Sequence, residues 1–132
     1  MTNKPIICLD FDGVIHSYKS GWQGPRNIPD PPVQGAIAFI MLIIWYYPDY
    51  QISIHSSRFR YFRAKRAVKK WLVKWGLPKK GLKLIKFSTR KPAYKILIDD
   101  RCMRFTGAFP PIDYILDFKS WVEKKNENTK KI

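Results

Sequence analysis

The chain has 132 residues, 45% apolar and 15% aromatic, with 25 Lys and Arg against 10 Asp and Glu and a formal charge of +15. That length and composition describe one domain with a real core and exclude a disordered chain. Two isolated cysteines, Cys8 and Cys102, exclude a disulfide framework and a paired zinc motif, and fit a reducing, cytoplasmic compartment. The apolar stretch from Ala36 to Tyr47 is short of the ~20 residues a membrane-spanning helix needs, so no membrane role is expected. The excess positive charge favours polyanions or phosphorylated molecules as partners.

Taken in order, Ile6 to Leu9 is an unbroken apolar run that reads as a buried parallel strand, with Asp10, Phe11, Asp12 and the breaker Gly13 at its carboxyl end. Val14 to His16 continues extended. Ser17 to Pro32, with two Gly and four Pro, reads as a loop insert. Asp30 followed by Pro31 and Pro32 predicts a helix entrance, with the helix running from Val33 to about Tyr47. Gln51 to His55 is a second strand, closed by Ser56, Ser57 and Arg58.

The clearest helix runs from Phe59 to about Trp75, where Ala64, Val68, Trp71, Leu72 and Trp75 recur at helical spacing and the rest is largely Lys and Arg. Leu82 to Phe87 and Tyr94 to Ile98 read as two more strands, the latter ending in Asp99 and Asp100. Ile112 to Leu116 reads as an edge strand, Phe118 to Lys125 as a short helix, and 126–132 as a basic frayed tail. Alternating strands and helices argue for a small α/β domain over 1–125 with right-handed crossovers.

Three sheet positions put polar groups just beyond apolar runs: Asp10 with Asp12, Ser56, and Asp99 with Asp100. In a parallel sheet those ends share one edge, where ligands bind. Four carboxylates meeting there repel unless a cation joins them, and hard oxygen donors select Mg²⁺.

Asp10-Phe11-Asp12-Gly13, the strand ending at Ser56, Lys91-Pro92, and Ile96-Leu97-Ile98-Asp99-Asp100-Arg101 resemble the four ordered motifs of the haloacid dehalogenase-like (HAD) phosphatases. More narrowly, with Phe105-Thr106-Gly107, they resemble the small, nearly capless members common in phages and bacteria, over about Ile6 to Pro110. The resemblance implies a three-layer Rossmann-like fold, a small central parallel sheet with helices on both faces and no full cap domain. It also implies a Mg²⁺-dependent phosphomonoester hydrolase working through an aspartyl-phosphate.

In that scheme Asp10 is the nucleophile, Asp12 the general acid and base, and Ser56 the donor to a phosphoryl oxygen. Lys91 neutralises the phosphoryl group. Asp10, the Asp12 backbone carbonyl, Asp99 and Asp100 hold the metal.

Alternatives stay open at several positions. Ser57 can replace Ser56, Lys86, Arg90 or Lys95 can replace Lys91, and Asp100 can stand behind the metal ligands. Gly13 leaves room for the phosphate. His16, Tyr18, Trp22, Ser57 and Arg58 are the further substrate-binding candidates, the two aromatics as stacking surfaces for a base.

The expected substrate is a nucleotide or the terminal phosphate of a nucleic acid, with non-specific backbone binding through the basic helix 59–75 as a further option. The rival reading is a non-catalytic module that binds nucleic acid or protein.

Overall fold

The computed structural model describes residues 3–130. Four strands, β1 (Ile6–Asp10), β2 (Gln51–His55), β3 (Ile85–Ser88) and β4 (Ile96–Ile98), form one sheet in the order β3-β2-β1-β4. Every pairing is parallel. The chain is therefore α/β, with β1 inside the sheet and both its neighbours delivering their carboxyl ends to one edge.

Register fixes the two faces, because neighbouring residues in a parallel ladder point the same way and alternate along each strand. Leu9 lies beside Ile54 on one side and Ile98 on the other, and Ile52 lies beside Ile85. This face makes the core with Ile40 and Ile44 of helix α1 (Ala36–Tyr46) and Val68, Trp71 and Leu72 of helix α2 (Ala64–Lys74). The other face carries Cys8 and Ser53, both fully buried. The link from β3 to β4 is not a helix but the coil 89–95. Burial and the Asp10 charge raise the Cys8 thiol, with the Lys91 charge of this coil acting against them.

A four-stranded parallel sheet with crossover helices is thus as expected, and the two crossover helices lie on one face of it. Among the described residues both crossover helices pack on the Leu9–Ile52–Ile54 side. Two crossovers stepping the same way along the sheet put their helices on the same face, and the third link holds too few residues for a helix.

Several local expectations are corrected. The first helix starts at Ala36 behind Gly35 (φ 84°), not at Val33. Pro31 and Pro32 keep the chain extended instead, and Val33 N–H donates to the Ile15 carbonyl. Asp30 is not a helix cap; its carboxylate accepts from the Ser20 backbone N–H (2.8 Å) and hydroxyl (2.6 Å), closing the 17–32 loop.

The long basic helix is split into a 3-10 turn (Ser57–Arg60) and α2, with Arg63 left-handed between them. A short helix α3 (Lys79–Leu82) precedes β3 where strand was expected from Leu82. Ile112–Leu116 is a helix, α4, not an edge strand, and its residues are exposed. Helix α5 (Trp121–Lys130) runs past Lys125, where fraying was expected; residues 131 and 132 lie outside the described residues.

The outer side of α1 remains uncovered, with Phe39, Leu42, Trp45 and Tyr46 exposed rather than packed. Among the described residues no helix is long and apolar enough to cross a membrane.

Leu72 is fully buried at the centre of the packing between α2 and the sheet. Leu72→Ala should cost about 2–5 kcal/mol, the ordinary penalty for a core cavity. Urea unfolding of both proteins at one pH measures it.

Candidate active site

The carboxyl edge of the sheet brings together the acids that the chain keeps almost ninety residues apart. Leu9 and Ile98 are ladder partners, so Asp10 and Asp99 follow at neighbouring strand ends. One oxygen from each of Asp10, Asp99 and Asp100 lies within 4.8 Å of the others. Asp99 Oδ1 also accepts the Arg101 backbone N–H at 2.8 Å, which fixes the turn after β4.

Burial, then the charge of Asp99, then those of Asp100 and Asp12, push the Asp10 carboxyl up to about 7 against one backbone hydrogen bond. Burial and the Asp99 charge raise Asp100 as well. Its Oδ1 is buried without a hydrogen-bond partner. A cluster of oxygen donors, with one orphaned and all crowded by like charge, suits a hard divalent cation such as Mg²⁺.

Gly13 packs closely against this cluster. A Cβ on Gly13 would stand 2.3 Å from Asp100 Oδ2, and its φ of +88° already favours glycine. Close packing against the neighbouring acid is thus a second reason for glycine here, beside the expected room for substrate.

Asp12 sits in the opposite electrostatic setting. Arg58 Nε donates to its Oδ2 at 2.8 Å and Nη2 to its Oδ1 at 2.9 Å, while His16 Nδ1 donates to Oδ1 at 2.8 Å. His16 Nε2 accepts the Asp30 backbone N–H, which assigns the ring proton to Nδ1. Burial alone would raise the Asp12 carboxyl. The His16 and Arg58 hydrogen bonds, with the guanidinium charge, outweigh it and hold the group below the usual carboxylate range.

Arg58 and His16, expected at the mouth as substrate-binding groups, are both fully buried. The remaining Arg58 nitrogen, Nη1, donates to the carbonyls of Gly24, Pro25 and Asn27. His16 is packed against Phe11, Tyr18 and Trp71. They are the scaffold behind Asp12: a charged arginine with its donors matched to acceptors, and an imidazole with both nitrogens used.

A cleft of about 440 Å³ opens over these groups. Asp10, Asp12 and Asp100 lie on its floor with Ser56 and Ser57, and Tyr18, Gly21 and Trp22 of the loop insert make one wall. Ser56 Oγ accepts the Arg58 N–H at 3.1 Å, so its own hydroxyl proton is left to give to a ligand. Ser57 is exposed at the same edge, and both serines therefore face the cleft.

Lys91 does not line the cleft, and neither do Lys86, Arg90 or Lys95. Lys91 is exposed on the crossing coil, and its charge is felt at Cys8 and Cys102. The cationic side chain on the wall is Arg101, which pairs with Glu123 at 3.1 Å.

The opposite wall is one that no sequence pattern points to. It is the start of α5: Ser120, Val122, Glu123 and Asn126. Trp121 Nε1 donates to the Gly13 carbonyl at 2.7 Å and pins this helix to the acidic turn. Ser120 with Glu123 three residues on carries the capping-box signal, and Glu123 Oε2 accepts the Ser120 N–H at 3.0 Å. That signal marks a helix start, but says nothing of where the helix docks. Comparison of the chain with protein-family models, with curated proteins and with solved structures finds no match.

Two outcomes follow from this geometry. Replacing Arg58 by Leu strands a buried carboxylate and three loop carbonyls, so the fold should lose about 3–5 kcal/mol at pH 7 in urea unfolding. Asp10, raised from 3.8 to about 7, favours folding when protonated; the metal-free protein loses that contribution as pH rises through about 7. A cation needs the ionised form, so Mg²⁺ affinity should climb up to about pH 7 and level off above it. Calorimetry in buffers of different ionisation heat should find about half a proton released per Mg²⁺ at pH 7 and almost none at pH 9.

Proposed function

We propose that the cleft is the active centre of a Mg²⁺-dependent phosphomonoester hydrolase of the HAD-like type. The observation that carries this reading is the meeting of Asp10, Asp99 and Asp100 oxygens within 4.8 Å, with Asp12 and the Ser56 hydroxyl facing the same cleft. Asp10, Asp99 and Asp100 would hold Mg²⁺, which when bound offers positive charge to the phosphoryl oxygens and keeps Asp10 ionised.

A carboxylate oxygen of Asp10 attacks phosphorus, the bond to the leaving oxygen breaks, and the phosphoryl group rests on Asp10 as a mixed anhydride. Ser56 donates its free hydroxyl proton to a phosphoryl oxygen. Water then attacks the phosphorus, its proton passing to a carboxylate, and Asp10 leaves with its original oxygens. Asp12 has one site to take that proton, since Arg58 and His16 use three of its roughly four lone-pair sites, though the same clamp makes it a weak base.

The same clamp makes Asp12 a poor acid in the resting protein, since its low pKa keeps it ionised. Substrates whose leaving oxygen needs no proton are therefore favoured at the first step. Arg101 takes the place on the cleft wall expected for Lys91. The open cleft, with Tyr18 and Trp22 at one side, supports a nucleotide or a nucleic-acid terminal phosphate as the substrate class.

An aryl phosphate assayed with Mg²⁺ tests the reading. Wild-type protein should release phosphate only with the metal, Asp10→Asn should lose at least about 10³-fold, and Ser56→Ala about 10²-fold. Turnover that survives Asp10→Asn would overturn it. If no metal-dependent release occurs while oligonucleotides still bind, the non-catalytic reading takes its place.

A further inference from the structure

We infer that the surface built by α2 and α3 is a binding track for single-stranded nucleic acid, separate from the acidic cleft. Between Asp49 and Asp99 the chain has no acidic residue and fifteen Lys or Arg. Part of this run closes a groove of about 520 Å³ lined by Arg66, Lys69, Lys70, Lys79 and Lys83 over an apolar floor of Val73 and Leu82. All five cations are exposed, and no ion pair among the described residues uses them. Five like charges around one concavity repel each other and gather counterions, which a polyphosphate chain releases on binding.

The charge alone does not choose among anions, but its surroundings do. At the entry to α2, Tyr61 and Phe62 stand out from the surface, Phe62 at 78% exposure. The Arg60 guanidinium lies over Tyr61 and that of Arg63 lies 4.9 Å from the Phe62 ring centre. Trp22 stands 6.3 Å from Tyr61. Arg63 holds a left-handed backbone (φ 61°), a strained conformation for a side chain of this size, and that turn separates Phe62 from the buried face of α2.

Exposed rings interleaved with guanidinium groups at the entry to α2, and a cationic groove along the same helix, are the parts that stack bases and follow a phosphate backbone. Eleven residues of α2 span about 16 Å, room for several nucleotides. An anionic membrane is a poorer fit. The apolar face of α2 (Ala64, Val68, Trp71, Leu72) is already buried in the core and is not available to insert. An acidic peptide would use the lysines but leave the rings without a partner.

Fluorescence anisotropy of fluorescein-labelled dT20 and rU20, from 50 to 200 mM NaCl, tests the track. Wild type and Asp10→Asn should bind alike, which separates this surface from the fate of the cleft. The triple variant K69E/K79E/K83E should reduce the slope of log affinity against log salt by about 2, at roughly 0.7 for each phosphate no longer neutralised. A charge-matched variant outside the groove, K4E/K95E/K124E, should keep most of that slope.

Tyr61→Ala with Phe62→Ala should weaken binding by at least about 10-fold with the slope unchanged. All these side chains are exposed, and circular dichroism checks each fold. The track is overturned if the groove variant binds dT20 as wild type does, or if it loses no more than the charge-matched variant. It is equally overturned if polyglutamate or phosphatidylserine vesicles compete as well as dT20 while the Tyr61/Phe62 variant binds normally.

Discussion

The bidentate pair between buried Arg58 and Asp12 is the interaction on which the arrangement of the cleft depends. It joins the turn after β1 to the turn after β2, and its spare nitrogen ties in the 17–32 loop through three carbonyls. A guanidinium with no exposure is costly unless each donor is met, and here Nε, Nη1 and Nη2 all find acceptors. The pair therefore serves as a positioning device more than as a source of stability. It works beside the His16 hydrogen bond to Asp12 and the Ser20–Asp30 bonds that close the loop.

Two carboxylates separated by one residue end in opposite states for this reason. Asp12 is surrounded by donors and held ionised; Asp10 is surrounded by acids and driven toward the neutral form. The backbone sends one toward the arginine and the other toward β4, so the same side-chain chemistry divides into a satisfied half and a half that lacks positive charge. Gly13 lies at the seam, close against Asp100, while its carbonyl anchors α5 through Trp121. The helix that forms the far wall is thus tied to the same turn that supplies the acids.

Charge is also divided at the scale of the whole molecule. Acids gather at one edge of the sheet, while every charged side chain in the segment from 50 to 98 is a cation. On the proposed reading, a phosphate at the acidic floor would meet repulsion that a bound cation relieves, and the α2–α3 surface would attract the same ligand without one. Long-range capture and local chemistry would then sit on separate elements.

The apolar run ending at Asp10, the alternation of Gln51 to His55 and the acids after Ile98 were legible in the sequence, because each is a local pattern with a local cause. So was the convergence of those ends, which follows once the strands are parallel. What His16 and Arg58 do was not legible. Whether a polar residue near a strand end faces solvent or lies behind its neighbour is set by packing from Trp71, Phe11 and the returning loop, all remote or unpatterned.

The same holds for Lys91, which lies outside the cleft, and for α5, which is docked by the Trp121 indole across 108 positions, the Arg101–Glu123 pair and buried Val122. Sequence alone determined which groups are acidic and which ends they occupy. Only the tertiary structure decided which of them are neutralised, because a carboxylate's state depends on what folding places within a few ångströms of it.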